Sequence, residues 1–473
     1  MPPVLGLGVA LGLPVIGAIT VAGIYLNKEV IVAAAWAAFC CGAMVMVQPA
    51  IGIVAMTGGY LLAAYPTILQ DLGVLTINNL LGVCLLVLLI GYVLGTRNLS
   101  FLRNRQVLTL AVIGIMLVLS SAHSDKIFPT LQASQSLGVK GKLLDRTSDM
   151  MHDFWTRLIY LIFMLVFIRT RGGILALFYT FMLVLFLAVP SALVNGWNGD
   201  LAHGFRAAAS FTAGANANRL ALIALMEVAC WWFWLRARPS AFRWMAAAGA
   251  VAGSLLTVLA TGSRSGIVGT ALLAGLLQTS PKRYRVPLTL IATLVILGTV
   301  AVATVVPQEA WDRAITFSSD RADLGGTSII KREDTVMVGL QMIRDHPFLG
   351  VGLGNFREVS RQMYLDTYFR PPHNSYLWAA AEGGIFVLAG YVVLFLFTWL
   401  DLRAVRRLGN RDPRTVYLGD LLQVLFLLYC AFAVLADLWL NPITYAMVGL
   451  IIAMRQYLES LPPVPVPRLV RAR

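Results

Sequence analysis

The group in this sequence best suited to proton transfer is a histidine that follows two prolines and precedes a polar helix start. Pro371-Pro372-His373-Asn374-Ser375 precedes a strongly apolar run. The prolines stiffen the backbone, and Asn374 or Ser375 can cap the helix that follows. We therefore expect the imidazole of His373 at the mouth of a helical bundle. Imidazole changes its protonation state near neutral pH, so His373 is a candidate base for an attacking hydroxyl group.

A carboxylate lies inside the same apolar run. Glu382 follows Ser375 by seven residues, so the two side chains lie on one face of a helix, about two turns apart. A carboxylate within a membrane span needs a partner and is a functional candidate. We assign Glu382 and Asn374 supporting roles, in which Glu382 orients the helix or the histidine.

An arginine between two apolar runs is the best candidate for binding an anion. Residues 261–266 read Thr-Gly-Ser-Arg-Ser-Gly, so that Arg264 has no charged neighbour in this stretch. A guanidinium at a membrane boundary is costly unless it meets an anion, and its planar fork fits a phosphate. The alternative is an arginine that reaches the interface and only helps to set topology. We favour anion binding, with Arg332 and Arg206 as further candidates for contacts to a diphosphate.

The patterns of glycines, acids, cysteines and histidines in the rest of the sequence indicate neither a nucleotide site nor a metal site. Gly350, Gly352 and Gly354 alternate as in a nucleotide-binding loop, but no strand precedes them and their spacing differs from that motif. The sequence contains no Asp-x-Asp pair, its five cysteines lie inside apolar runs, and its five histidines lack metal-ligand spacing. We therefore expect neither a metal site nor a cofactor.

The composition identifies the elements that must position these residues. The chain has 473 residues, of which 58% are hydrophobic and 13% charged, and its mean hydropathy is +0.76. Soluble proteins carry about 25% charged residues. A soluble globular fold, a disordered chain and a secreted disulfide scaffold are therefore excluded. We predict an all-α polytopic membrane protein, because each span needs about 20 apolar residues and the sequence has many such stretches.

Apolar runs recur along the whole sequence and predict about 12–14 transmembrane helices. The runs lie near 4–26, 29–47, 51–65, 76–95, 106–122, 153–168, 173–190, 219–235, 243–261, 265–279, 286–306, 375–400, 415–436 and 438–455. The net charge is +14, and its basic clusters fall in short loops, as is typical of cytoplasmic loops rather than of a nucleic-acid site. Both termini are then inside, and His373 and Arg264 lie on the outer side.

One loop is much longer than the others and divides the chain. Basic and acidic residues nearly balance in 307–374, and loops beyond about 60 residues cross the membrane largely regardless of charge. We therefore predict transmembrane helices with short loops in 1–306, a large outer loop in 307–374, C-terminal transmembrane helices in 375–455 and a cytoplasmic tail in 456–473.

Three motifs give the sequence a family resemblance. They are His-Pro-Phe-Leu-Gly-Val-Gly-Leu-Gly-Asn-Phe at 346–356, the stretch 373–384 with its His-Asn start and Glu-Gly-Gly end, and Ser-Arg-Ser-Gly at 263–266. In order and spacing they resemble the O-antigen ligase / O-antigen polymerase superfamily of bacterial inner-membrane glycosyltransferases, over roughly residues 200–400. The family often has Gly-Asn-Pro-Asn where residues 214–218 read Gly-Ala-Asn-Ala-Asn.

The resemblance implies a fold similar to the membrane-embedded, lipid-linked sugar transferases of the GT-C type. It implies a metal-independent reaction at the periplasmic side of the inner membrane, with a glycan on undecaprenyl diphosphate as donor. A ligase passes that glycan to a hydroxyl of lipid A-core, and a polymerase passes it to another lipid-linked glycan. Within this scheme Arg264, Arg332 and Arg206 stabilise the departing diphosphate. His373 takes the acceptor proton, and the displacement inverts the anomeric carbon.

The alternatives differ in what they require of the sequence. Polymerases of this type often carry two sizeable outer loops, so the single dominant loop at 307–374 favours a ligase. A multispan transporter of lipid or glycan without chemistry requires charged residues inside several spans and repeat-related halves. The spans are nearly free of charge and no repeat is evident. A membrane scaffold has no positive indication, and we expect no nucleic acid among the partners, only the glycan donor, its acceptor and membrane lipids.

Overall fold

The computed structural model describes residues 42–62, 77–127, 142–197, 216–261, 263–287, 289, 327–364 and 371–463. Throughout these residues the regular structure is helical, which confirms the predicted all-α class. The longer helices are α1 (Pro49–Leu62), α2 (Ile77–Thr96), α3 (Arg105–Ile127), α4 (Lys142–Phe167), α5 (Arg171–Trp197), α6 (Ala217–Ala237), α7 (Ala241–Ala260), α8 (Arg264–Thr279), α9 (Thr327–Asp345), α10 (Phe356–Met363), α11 (Ser375–Leu408), α12 (Val416–Phe432) and α13 (Pro442–Ser460).

The apolar runs of the sequence become these helices. Six helices within the described residues are long and apolar enough to cross a bilayer, and they correspond to α3, α4, α5, α6, α7 and α11. The run near 4–26 and most of those near 29–47 and 286–306 lie outside the described residues, so the total of 12–14 spans stays a prediction. Helical packing and hydropathy together define a polytopic membrane protein.

Polar contacts gather at the two ends of the helix bundle. At one end Asp401 of α11 binds both Arg105 of α3 and Arg455 of α13. At the same end Arg406 of α11 binds Asp420 of α12. The opposite end holds the starts of α6, α8, α11 and α13. Because the short basic loops belong to the first end, the predicted topology makes it cytoplasmic and the other end the outer one.

The long helix α11 contains a break that separates its outer part from its membrane part. Gly384 has φ 75° and ψ −176°, a conformation that is essentially restricted to glycine. The 24 residues from 385 to 408 rise about 36 Å, which is enough to cross a bilayer unaided. Residues 375–383 therefore form a separate outer segment, and His373 lies just before it.

Candidate functional site

His373 is held in an unusual backbone conformation directly before a helix cap. Its φ is 51°, a left-handed value that histidine adopts more readily than most residues but that still costs free energy. Asn374 is the cap, because its side-chain oxygen accepts hydrogen bonds from the backbone N–H groups of Tyr376 and Leu377, both at 3.0 Å. Of the two capping residues that the sequence allows, the structure uses Asn374. The imidazole is thereby fixed to the end of α11.

The imidazole of His373 is paired with a carboxylate that the sequence analysis did not single out. Nδ1 of His373 lies 3.1 Å from Oδ2 of Asp437. The Asp437 side chain is 5% exposed and that of His373 is 19% exposed. An ionised carboxylate can only accept, so Nδ1–H donates to it and Nε2 is the nitrogen left for a substrate. Within the described residues Nε2 has no hydrogen-bond partner, so the pair has the arrangement of a base with its orienting acid.

Ser375 fixes the segment that carries Asp437 against the start of α11. The backbone N–H of Ser375 donates to the carbonyl of Ala433 at 2.7 Å. Its hydroxyl donates to the carbonyl of Ala436 at 2.6 Å and accepts from the N–H of Leu438 at 2.7 Å. Ser375 is fully buried, so these bonds are protected from water. The bonds of its two sequence neighbours therefore keep Asp437 in place beside His373.

The starts of α6 and α8 lie side by side at the outer end. Oδ1 of Asn218, in the first turn of α6, accepts hydrogen bonds from Ser263 at 2.7 Å and from Ser265 at 3.1 Å. Ser263 is also the cap of α8. Gly266 permits this close approach, because a Cβ there would lie 3.1 Å from that of Ala221. The two helix N-termini therefore point to the same region.

Each of these helix starts carries an arginine. Arg264 is the first residue of α8, and Arg219 lies in the first turn of α6. Both side chains are half-buried, and Nε of Arg219 is buried without a hydrogen-bond partner among the described residues. Helix N-termini carry partial positive charge and present free N–H groups. Two guanidinium groups beside two N-termini form an environment that favours an anion such as a diphosphate.

The arginine pair and the histidine pair lie at the same end of the bundle, linked through α12. Gly269, in the second turn of α8, packs against the ring of Phe432 at the end of α12. The next residue, Ala433, accepts the hydrogen bond from Ser375. Packed helices lie about 8–10 Å apart, so the axes of α8 and α11 are at most about 20 Å apart.

Arg332 belongs to α9, which runs alongside the outer segment of α11. Gly339 of α9 packs against Leu377, and the carbonyl of Pro347 accepts a hydrogen bond from Ile385 at 2.8 Å. Pro347 follows Gly339 by eight residues, and Ile385 follows Leu377 by the same number. The two segments therefore run parallel. Arg332, seven residues before Gly339, lies about 10 Å beyond the level of Leu377, on the side of His373. Arg206, the third candidate, lies outside the described residues.

Glu382 has a partner, and it is the backbone of the long loop. Oε1 of Glu382 accepts a hydrogen bond from the N–H of Phe356 at 3.1 Å, where α10 begins. A carboxylate at a helix N-terminus is favourable because the helix dipole is positive there. Glu382 thus holds α10 against the break in α11. It is connected to His373 through residues 375–383, the outer segment of that helix.

The glycine-rich motif 346–356 is the structure that docks the long loop onto this break. The N–H groups of Val351 and Gly352 donate to the carbonyls of Ala381 and Glu382 at 2.9 and 3.0 Å. Those carbonyls are available because the helix is interrupted at Gly384. Gly350, Gly352 and Gly354 have φ values of 65°, 90° and 82°, which explains the alternating glycines. The motif therefore has an architectural role.

Asp437 and Arg219 are two residues of this end that have no role among the sequence-based predictions. A signal for Asp437 was present, since it follows the apolar run 415–436 directly and so had to lie at the outer end of a span. Arg219 lies in the stretch that precedes the next apolar run, where the two asparagines drew attention instead. No group of three or more His, Cys, Asp or Glu side chains suited to a metal is found in the part of the chain that the structure describes.

The fold is that of an all-α polytopic membrane protein, and one end of its bundle carries two arginine-bearing helix starts and a histidine–aspartate pair. Residues 249–392 match the family model described as O-antigen ligase. This match confirms the resemblance to the O-antigen ligase superfamily over these residues. It includes Arg264, Arg332 and His373 and stops before Asp437. No curated protein matches the chain. The family implies a glycosyltransferase-like ligase or polymerase, with a lipid-linked glycan and a glycan acceptor as partners.

Proposed function

We propose that this protein is a ligase that moves a glycan from undecaprenyl diphosphate to a hydroxyl of lipid A-core on the periplasmic side of the bacterial inner membrane. The observation that carries the proposal is the presence of the His373–Asp437 pair at the same end of the bundle as the two arginine-bearing helix starts. A transfer between a phosphorylated lipid and an alcohol needs both a base and an anion-stabilising group.

In this proposal the arginines bind and stabilise the donor diphosphate. Glycosyl transfer breaks the bond between the anomeric carbon and a diphosphate oxygen, so negative charge develops on the leaving group. Positive groups that are already in place stabilise such charge without reorganisation. We assign this role to Arg264 and Arg219, which follow the caps of α8 and α6. Arg332 of α9 is a further contact, and Arg206 keeps its candidate role from the sequence.

In this proposal His373 removes the proton of the acceptor hydroxyl. In the proposed step, the acceptor oxygen attacks the anomeric carbon and its proton passes to Nε2 of His373. The carbon–oxygen bond to the diphosphate breaks at the same time, and the bonding electrons leave with the diphosphate. The carboxylate of Asp437 stabilises the imidazolium that forms and holds Nδ1–H towards itself. A single displacement of this kind inverts the configuration of the anomeric carbon, and it needs no bound metal.

Transfer by the purified protein tests the proposal. The chain is reconstituted with an undecaprenyl-diphosphate glycan and lipid A-core, and His373→Ala is compared with His152→Ala, which removes an exposed histidine at the same end. We expect His373→Ala to lose about 10²–10⁴-fold in rate and His152→Ala to retain the wild-type rate. Full transfer by His373→Ala contradicts the assignment. Full activity in a chelator is expected as well.

A deletion strain distinguishes the ligase from its two rivals. Loss of a ligase leaves long glycan chains on undecaprenyl diphosphate, whereas loss of a polymerase leaves single repeat units. Loss of a transporter leaves the glycan on the cytoplasmic side of the membrane. We expect long, periplasmic, lipid-linked chains, and either of the other products overturns the ligase proposal.

A further inference from the structure

The basic end of the bundle contains a cavity that the proposed transfer reaction does not use. Its volume is about 320 Å³, and it lies where α3, α11 and α13 meet. The charged side chains that line it are Arg103, Arg105, Asp401, Arg455 and Glu459. It is at the opposite end from His373, so it belongs to a different site.

A buried carboxylate organises the wall of this cavity. Oδ1 of Asp401 binds both Arg105 and Arg455, and Oδ2 accepts a hydrogen bond from Gln106 at 2.5 Å. The Asp401 side chain is 2% exposed, whereas those of Arg105 and Arg455 are 34% and 32% exposed. The buried carboxylate therefore fixes the two guanidinium groups, while part of each arginine side chain stays accessible.

The charges of the cavity do not balance. Asp401 is neutralised within the arginine network, and Glu459 pairs with Arg455 at 2.8 Å. Arg103 is exposed and has no carboxylate partner among the described residues. Three arginines face two acids, which leaves one positive charge. One monoanion, such as a phosphodiester, completes the balance, and arginine forks suit its oxygens.

The surface next to the cavity is apolar and faces the membrane. Leu108, Val112, Ile115 and Leu119 of α3 are 52%, 56%, 56% and 49% exposed. They recur at intervals of four, three and four residues and so form one stripe along the helix, starting about one turn from Arg105. An acyl chain lying on this stripe brings its headgroup to the cavity.

We propose that this cavity, on the cytoplasmic side in the predicted topology, binds the phosphodiester headgroup of an anionic phospholipid whose acyl chains lie along α3. The net positive charge selects an anionic headgroup, and the adjoining apolar stripe selects a lipid over a free phosphate ion. The bound lipid links α3, α11 and α13 at the end remote from the transfer site.

Lipid titration of the purified full-length protein in a neutral detergent tests this site with no glycan donor present. Phosphatidylglycerol is compared with phosphatidylcholine of the same acyl chains and with inorganic phosphate, and the thermal unfolding midpoint is the readout. We expect phosphatidylglycerol to raise the midpoint at a lower concentration than phosphatidylcholine, and inorganic phosphate to have no effect. Equal effects of the two lipids overturn the proposal, as does equal stabilisation by inorganic phosphate.

Two variants locate the effect. Arg103→Gln removes the unpaired charge, and Arg407→Gln removes an exposed arginine of the same end that does not line the cavity. We expect Arg103→Gln to raise the half-maximal phosphatidylglycerol concentration by about tenfold or more, the usual effect of losing a charge-assisted hydrogen bond. Arg407→Gln should match the wild type. Equal responses of the two variants contradict the proposed position. Arg103→Lys, which keeps the charge, should restore most of the binding.

Discussion

The imidazole of His373 and the carboxylate of Asp437 meet across the gap between two helices, 3.1 Å apart, although 64 residues separate them in the chain. The bond turns one edge of the ring inward and leaves Nε2 for a substrate. The two residues reach each other because Ser375 binds the turn on both sides of Asp437. The histidine is thus oriented by the junction between α11 and the segment that precedes α13.

Asp437→Asn is expected to reduce glycan transfer by about 10²–10⁴-fold while leaving expression and the thermal midpoint near wild type. An amide in place of the carboxylate cannot stabilise the imidazolium and supports the wrong tautomer of the ring. The check is the rate of transfer as a function of pH, because a positioning role moves the pH profile and a purely structural role does not.

Asp149→Asn is the matched control for this change. Asp149 is an exposed acid of α4 at the same end of the bundle. It should transfer glycan at the wild-type rate and with the wild-type pH profile. An Asp437→Asn protein with an unchanged profile would remove Asp437 from the mechanism.

Arg264→Ala and Arg219→Ala are each expected to slow transfer by about 10²–10³-fold, the usual effect of removing one group that stabilises developing charge. Arg264→Lys should recover only part of the loss, since lysine keeps the charge but not the fork. Initial rates at saturating donor measure the effect. Arg238→Gln, an exposed arginine at the opposite end, serves as the control and should be silent. If Arg219→Ala is also silent, the anion contacts Arg264 alone.

Gly384→Ala is expected to destabilise the protein by about 1–3 kcal/mol from backbone strain, with an added steric cost. A Cβ at this position would overlap the carbonyl group of Phe348, which belongs to the docked loop. Gly275→Ala is the control, because a Cβ there meets no atom within 4 Å and alanine favours a helix. Thermal unfolding in detergent should give a lower midpoint for the first variant and an equal or higher one for the second. Equal midpoints would show that the break does not depend on glycine.

Stability is expected to fall as the pH is lowered from about 7 to 5, in part because of His346. Burial lowers the pKa of His346 below its ordinary value, and the nearby His123 acts in the same direction while Asp345 opposes it. The unfolded chain therefore binds a proton first as the pH drops, so the stabilising contribution is present above the unfolded pKa of about 6.5 and is lost below it. His346→Gln should reduce the difference between thermal midpoints at pH 8 and pH 5, whereas His152→Gln should not. An unchanged difference would contradict this contribution.

The helices were predictable because their cause is local. Each apolar run within the described residues is a helix, since a bilayer requires length and hydrophobicity that the sequence displays directly. The helix start at Asn374 was predictable for the same reason, as a cap is a property of neighbouring residues. The position of His373 at that start followed from the two prolines and needed no knowledge of the rest of the chain.

The partners of the site residues were not predictable, because they depend on packing between distant segments. Glu382 needs a partner, and it accepts a hydrogen bond from the backbone N–H of Phe356, a group that has no sequence signature. Asp437 pairs with His373 only after α12 has brought its end beside α11. The helix starts that carry Arg219 and Arg264 come together through hydrogen bonds between an asparagine and two serines, residue types that are common at helix starts.

The interruption of α11 at Gly384 separates residues 375–383 from the part of the helix that crosses the bilayer, and the loop 346–356 and the turn before α13 hold this outer segment. The position of His373 then depends on the hydrogen bonds that Val351 and Gly352 donate to this segment and on those that Ser375 makes with the turn around Asp437. Chimeras that exchange this loop together with residues 371–383 should accordingly change which acceptors are served, while the transmembrane scaffold stays untouched.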